Sequence, residues 1–213
     1  MKKLSTLYSF RRCPYAMRAR LAILVSGTQV ELREILLKDK PESMLRHSHK
    51  GTVPVLVTEQ NHVIDESFDI MIWALKNHDP QHWLDIDETA VKRLILENDG
   101  SFKQALDQYK YADRYPEQSA ESFRERGLVF LNKLEPKLSM HRFLVSDSVT
   151  LADVAIFPFV RQFAFVDKPW FDQLAMPHLQ QWLEYFLSHE LFAIAMKKYP
   201  VWQEGDEPII FGT

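Results

Sequence analysis

The chain has 213 residues, 46% of them hydrophobic and 26% charged, and its formal net charge is −3 at pH 7. This composition is typical of a soluble globular protein with one large or two modest domains. The weak negative charge argues against a nucleic-acid-binding protein, and no run reaches the roughly 20 apolar residues that span a bilayer. We therefore expect partners that are neither nucleic acids nor membranes.

Hydrophobic patterning over the first 77 residues alternates between strand-like and helix-like segments in the order β-α-β-α-β-β-α. The predicted strands are residues 4–9, 30–37, 53–58 and 63–65, and the predicted helices are residues 14–26, a short piece after Pro41, and residues 68–77. A polar turn joins the last two strands and is typical of a β-hairpin. This order predicts a first α/β domain, residues 1–79, with a mixed four-stranded sheet and flanking helices.

The rest of the chain is predicted to be helical. A proline-containing polar stretch, residues 78–85, has the character of a linker. Beyond it every hydrophobic segment shows helical periodicity. The predicted helices are residues 87–112, 116–140, 151–165 and 179–199. We therefore predict a second, all-α domain over residues 86–213.

Cys13 lies where the first predicted strand gives way to the first predicted helix. A thiol at a helix N-terminus faces unpaired backbone N–H groups and the positive end of the helix dipole, which favour the thiolate. Arg11 and Arg12 precede it and act in the same direction, while Pro14 suits the first helical turn and Gly27 a helix stop. The alternative is that Cys13 is a small buried hydrophobic residue, the usual place of a free cysteine.

The lack of a second cysteine limits the redox chemistry of the chain. Position 16, where a Cys-x-x-Cys motif would carry its second thiol, is Ala16. An internal disulfide cycle is therefore impossible, and any redox reaction needs an external small thiol as partner. The lack of internal disulfides suits a reducing compartment, and we expect a cytoplasmic protein.

Two short segments of the first domain are candidate ligand-binding sites. Pro54 precedes an apolar strand, and a cis Val53–Pro54 bond would free the Val53 backbone to pair with an extended peptide; an ordinary trans bond is the alternative. Ser67 is a candidate N-cap of the next helix, whose N-terminal N–H groups would bind a carboxylate, while Glu66 would accept an ammonium group. The alternative is that Ser67 only caps the helix and that Glu66 is solvated.

Several other polar and aromatic groups have structural explanations. Thr150 and Asp153 form the pattern of a helix capping box, which outweighs an acid–base role for Asp153. His78 and His82 are separated by Pro80, so no continuous helix presents both to a metal, and we predict no metal site. Five aromatic residues of the predicted second domain form a stripe, and such a stripe more often packs a helical core than lines a pocket. This stripe comprises Tyr109, Tyr111, Tyr115, Phe163 and Phe165.

Taken together, these elements resemble the cytosolic glutathione transferase superfamily over nearly the whole chain. Residues 13–18, Cys-Pro-Tyr-Ala-Met-Arg, resemble the Cys-Pro-x-x-x-Arg signature of its cysteine-type members, most closely the omega class. The other omega-like segments are residues 37–42, 52–56 and 66–67. In the second domain, residues 146–153 resemble the helix-capping motif of the family and residues 177–182 its Pro-x-Leu-x-x-Trp helix.

The resemblance implies a thioredoxin-like first domain that binds glutathione as co-substrate, a helical second domain that forms the pocket for the other substrate, and a homodimer. Cys13 would form a mixed disulfide with the glutathione sulfur. Tyr8 occupies the place where tyrosine-type relatives keep an activating hydroxyl, but with Cys13 present it is the weaker candidate.

The resemblance also implies roles for five glutathione-binding residues. Pro54 would be cis, and Val53 would pair with the cysteinyl backbone of glutathione. Glu66 and Ser67 would hold the γ-glutamyl end, and Lys38 the glycyl carboxylate.

Three functions follow from these expectations. The first is a glutathione-dependent transferase or thiol–disulfide oxidoreductase that uses Cys13 to reduce or deglutathionylate a small or glutathionylated substrate. Conjugation of glutathione to electrophiles is a related alternative. The third is a non-catalytic regulatory or binding protein on the same scaffold, although Cys13, Lys38, Glu66 and Ser67 argue against a scaffold that has lost its ligand.

Overall fold

The chain divides into two units. The first runs to Gln81 and also includes the residues from His189 onward, and the second is His82–Ser188. The computed structural model describes residues 3–212. Residues from His189 onward lie within the predicted second domain, residues 86–213, but group with the first unit.

The first unit is built on a mixed sheet of five strands. The strands are β1 (Ser5–Ser9), β2 (Val30–Glu34), β3 (Val55–Val57), β4 (Val63–Ile64) and β5 (Ile209–Phe211). Their order is β4-β3-β1-β2-β5; β1 and β2 are parallel and every other pair is antiparallel. The predicted mixed sheet and hairpin are confirmed. The predicted strand count of four is one short, because β5 pairs with β2 from the far end of the chain.

Four helices accompany this sheet. They are α1 (Pro14–Ser26), α2 (Glu42–His47), α3 (Ser67–Asn77) and α10 (Glu190–Ala195). Helix α1 is buried on nearly all sides rather than along one face, because it packs against both α3 and α10. It ends as predicted at Gly27, which has a φ of 64° and donates its N–H to the Leu24 carbonyl at 3.1 Å.

The second unit is helical. Its helices are α4 (Glu88–Glu97), α5 (Lys103–Lys110), α6 (Ala120–Met140), α7 (Leu151–Ala164), α8 (Lys168–Phe171) and α9 (Pro177–Ser188). A π-helical turn, Asn98–Phe102, joins α4 to α5, so one predicted helix is two joined helices. The predicted helix at 179–199 is also split, because the His189 side chain accepts the Leu191 N–H and begins α10.

Asp153 is the structural anchor of α7, as the capping-box pattern predicts. Its buried carboxylate accepts the Thr150 N–H, the Thr150 hydroxyl, the Leu144 N–H and the indole N–H of Trp182, each at 2.9 Å. Burial raises the pKa of Asp153, and these four donors oppose that effect. The carboxylate thus joins the start of α7 to α9 and to the loop before α7, and all its donors belong to the scaffold.

The aromatic stripe divides between the core and the surface of the helical unit. Tyr109 and Phe163 are buried with their ring centroids 5.2 Å apart, which confirms the packing interpretation for these two residues. Tyr115 lies against the core residue Phe123, while Phe165 is 50% exposed.

Gly127 allows α6 to approach α7. A Cβ at this position would lie 2.3 Å from Cε2 of Phe163, which is a buried ring with little room to move. We expect Gly127→Ala to lower the free energy of unfolding by about 1–3 kcal/mol through overpacking, even though alanine is the better helix former. Urea unfolding followed by circular dichroism measures the change.

Gly100→Ala is the matched control, because nothing lies within 4 Å of a Cβ at Gly100 and its backbone has no positive φ. We expect that variant to be as stable as the wild type or more stable. Equal stability of the two variants would contradict the packing argument.

Candidate active site

Cys13 lies at the corner between β1 and α1. Its backbone N–H donates to the Phe10 carbonyl and its carbonyl accepts the Met17 N–H, both at 2.9 Å, so a tight turn ends the strand and begins the helix. Cys13 is the N-cap residue of α1 and its side chain makes no capping hydrogen bond. Cys13 as a whole residue is half-buried. This is the strand–helix placement that the sequence predicts, at the end of the helix where the dipole is positive.

The two arginines before Cys13 contact neighbouring groups of the loop and the C-terminal segment. Arg11 donates from Nη1 to the Met196 carbonyl at 3.4 Å, and the Arg12 guanidinium lies over the Phe10 ring, 5.4 Å from its centroid. These contacts help to fix the loop that leads into Cys13.

Val53 is the predicted site residue that the structure brings next to the thiol. The Cys13 Sγ lies 3.7 Å from the Val53 carbonyl oxygen. The Val53–Pro54 peptide bond is cis, as the resemblance implies. Both residues are buried at the start of the segment that leads into β3.

Ser67 opens α3 and is held by a buried arginine. Glu66, rather than Ser67, is the N-cap residue of α3, so the predicted cap is displaced by one position. Arg18 donates from Nε to the Ser67 Oγ at 3.0 Å, and its guanidinium lies over the Tyr15 ring. Arg18 therefore links the helix that begins at Cys13 to the start of α3.

Apart from its place in the Cys-Pro-x-x-x-Arg segment, Arg18 has no role predicted from the sequence. Its side chain is only 2% exposed. Two arginines in a largely apolar helix are a usable signal, because a buried guanidinium requires acceptors.

Glu66 belongs to a small charged cluster on the surface. The Lys50 Nζ lies 2.5 Å from Glu66 Oε1 and 3.0 Å from Asp65 Oδ1, and the buried Ser48 donates its hydroxyl to Asp65 Oδ2 at 2.7 Å. The Ser48 hydrogen bond, followed by the Lys50 ammonium, lowers the pKa of Asp65. The hydrogen bond to Glu66, followed by that to Asp65, raises the pKa of Lys50. Two carboxylates and one ammonium give the cluster a charge of −1 at neutral pH.

Lys38 stands apart from this arrangement. It is exposed, in the turn after β2 that the Leu36–Asp39 bridge closes. Across residues 3–212, no hydrogen bond or ion pair joins Lys38 to the other predicted site residues.

Tyr8 is buried in the cluster of apolar residues that Cys13 packs against. Its hydroxyl donates to the Ser43 Oγ at 3.1 Å and accepts from Arg33 Nη1 at 2.8 Å. These bonds and the T-shaped contact with Trp202 explain the position of Tyr8 by packing.

A buried ion pair lies behind the loop of Cys13. Arg20 pairs with Glu34 and also donates to the Ser9 Oγ at 2.8 Å and to the Ala195 carbonyl at 3.1 Å. Glu34 accepts the backbone N–H of Arg11 at 2.7 Å through Oε1. Burial lowers the pKa of Arg20, and Glu34 opposes that effect. This pair is not among the features predicted from the sequence, although opposite charges in two predicted buried elements are a signal for it.

Two features are absent from the described part of the chain. No group of three histidine, cysteine, aspartate or glutamate side chains there is arranged as a metal site. None of the helices described combines the length and the hydropathy that a membrane span requires.

Comparison with known families decides what kind of scaffold carries this site. The family model for the glutathione S-transferase N-terminal domain matches residues 7–82, and the model for the C-terminal domain matches residues 80–190. The chain belongs to the glutathione S-transferase family. The matches confirm the resemblance seen in the sequence and the thioredoxin-like first domain followed by a helical one.

Curated relatives of this glutathione S-transferase include omega-class proteins. It is 27% identical to glutathione S-transferase omega-1 of Mus musculus over 199 residues, which are 92% of this chain and 77% of the mouse protein. It is 25% identical to omega-1 of Sus scrofa over 198 residues, 91% and 77% of the two chains.

Solved structures have the same fold. The glutathione transferase URE2P6 of Phanerochaete chrysosporium, in complex with oxidised glutathione, matches with a TM-score of 0.78 and 19% identity. The match covers 91% of this chain and 94% of that one.

Proposed function

We propose that this chain is a glutathione-dependent thiol transferase in which Cys13 carries the sulfur chemistry. The observation that carries the proposal is the position of the single cysteine, a half-buried residue that is the N-cap of α1 and lies beside the Val53 backbone. A helix N-terminus favours the thiolate, which is the nucleophilic form in thiol–disulfide exchange.

Glutathione is the substrate that the surrounding groups suit. The Val53 backbone, next to the cis bond to Pro54, would pair with the cysteinyl residue of glutathione. Glu66 and Ser67 would hold the ammonium and carboxylate of the γ-glutamyl end, and Lys38 the glycyl carboxylate. The URE2P6 relative was solved with oxidised glutathione, which supports this choice of ligand.

The proposed reaction has two exchange steps. In the first, the Cys13 thiolate attacks the glutathione sulfur of a glutathionylated substrate; the Cys13–glutathione disulfide forms, and the substrate sulfur leaves and takes a proton from water. In the second, the thiolate of a free glutathione attacks the bound glutathione sulfur. Oxidised glutathione leaves and the Cys13 thiolate is restored, so glutathione is oxidised and the substrate is reduced.

The rate of mixed-disulfide formation tests the proposal. We expect the native protein to gain one glutathionyl group from oxidised glutathione, measured by intact-protein mass spectrometry, and to lose it on addition of free glutathione. S-methylglutathione, which binds but cannot exchange, should slow the modification. A native protein that remains unmodified, or that reacts no faster than its urea-unfolded form, would overturn the assignment.

Glu66→Gln tests the ligand more narrowly. We expect about a ten-fold slower reaction with oxidised glutathione, because the charge-assisted contact to the γ-glutamyl ammonium is lost. The reaction with hydroxyethyl disulfide, which has no ammonium group, should keep its rate. An equal slowing with both disulfides would contradict the role of Glu66.

The assembly and location that we infer follow from the family resemblance. They are a homodimer and the cytoplasm. Light scattering coupled to size-exclusion chromatography tests the first, and cell fractionation tests the second.

A further inference from the structure

We propose that Lys50 limits the affinity of this site for glutathione by competing with the γ-glutamyl ammonium for Glu66. The inference rests on the proposed function and adds a residue that sets ligand affinity.

Lys50 already makes, within the protein, the contact that the ammonium group of the ligand would make. Its Nζ lies 2.5 Å from Glu66 Oε1, the carboxylate that the proposal assigns to the ammonium of glutathione. An alkylammonium with a carboxylate at this distance is the same chemical pair that the ligand would form. Lys50 therefore offsets the negative charge of Glu66 to which the ligand's ammonium would be drawn.

The second contact of Lys50 explains how the ligand can displace it from Glu66. Its Nζ also lies 3.0 Å from Asp65 Oδ1, and Asp65 is held through its other oxygen by the buried Ser48. Lys50 can thus move from Glu66 and keep a fixed partner. With Lys50 on Asp65, Glu66 is left with its full charge for the ligand, so the competition weakens binding without preventing it.

The exposure of these groups sets the size of the effect. The Lys50 side chain is 49% exposed and that of Glu66 is 65% exposed, so water and salt screen the pair. Exposed ion pairs of this kind are weak, and their loss corresponds to about a two- to five-fold change in an equilibrium constant.

The test compares Lys50→Gln with Lys76→Gln, which removes the same charge from the exposed last turn of α3. Calorimetric titration with S-methylglutathione measures binding without involving exchange at Cys13. We expect Lys50→Gln to lower the Kd about two- to five-fold and Lys76→Gln to leave it unchanged. The gain should shrink in about 0.5 M sodium chloride, where the Debye length is a few ångströms. An unchanged or raised Kd for Lys50→Gln would overturn the inference.

A second ligand separates competition from a general charge effect. S-methylglutathione that lacks the γ-glutamyl ammonium should bind Lys50→Gln and the wild type equally. A gain of the same size with this analogue would also overturn the inference. If S-methylglutathione does not bind the wild type, the proposed function itself fails, and this result differs from binding that Lys50→Gln does not improve.

Discussion

Replacing Cys13 with serine is expected to lower the rate constant for thiol transfer from a glutathionylated peptide by at least about 10³-fold, which corresponds to about 4 kcal/mol of transition-state stabilisation. Serine keeps nearly the same shape, but its hydroxyl does not ionise near neutral pH and cannot form a disulfide. Since the chain has no other cysteine, no second thiol can replace it. Release of the reduced peptide in the presence of glutathione, followed by chromatography, measures the rate.

The control for Cys13→Ser is binding rather than turnover. Because Cys13 is half-buried and does not cap α1 by a hydrogen bond, we expect unchanged circular dichroism and an unchanged Kd for S-methylglutathione. Thiol transfer that persists in Cys13→Ser would exclude the proposed mechanism. In that case the function to test is conjugation of glutathione to an electrophile, assayed on Cys13→Ala. A protein that binds glutathione but shows neither thiol transfer nor conjugation would instead be a regulatory protein.

Removing the carboxylate of Glu34 is expected to lower the free energy of unfolding by about 3–5 kcal/mol, because the buried Arg20 is left without its counter-ion. The Arg11 N–H also loses its acceptor, and this N–H lies in the loop that leads into Cys13. Urea unfolding of Glu34→Ala measures the loss.

Two variants show whether the unpaired charge is the cause of this loss. Glu31→Ala removes a carboxylate from the same strand, but its pair with Arg33 is partly exposed, so we expect the free energy of unfolding to fall by less than about 1 kcal/mol. The double variant Arg20→Met with Glu34→Met removes both charges and should be clearly more stable than Glu34→Ala. If the double variant is as unstable as Glu34→Ala, the ion-pair explanation is wrong.

The features of this protein that can be predicted from the sequence depend on residues that are adjacent in the chain. The corner at Cys13, the stop at Gly27 and the Thr150–Asp153 box each follow from a few adjacent residues with known conformational preferences. The strands and helices of the first unit follow from periodicities of two and 3.6 residues. Family motifs then relate these local patterns to a fold and to a ligand.

The parts that the sequence does not reveal depend on partners distant in the chain. Arg18 meets Ser67 across 49 positions, and Arg20 meets the Ala195 carbonyl across 175. Neither partner can be chosen from local pattern, because many serines and carbonyls are available. The strand β5 is only three residues long, and it becomes a strand because β2 offers it an edge.

The pairing of β5 with β2 sets the point in synthesis at which this sheet can be completed. The outer strand β5 can join the sheet only after the whole helical unit has been translated. The same holds for the Ala195 carbonyl that accepts a hydrogen bond from Arg20. Until residues 209–211 leave the ribosome, one edge of β2 remains unpaired, and open sheet edges promote aggregation. A fragment ending near Gln81 would keep that edge permanently, so the thioredoxin-like unit should be expressed as part of the full chain.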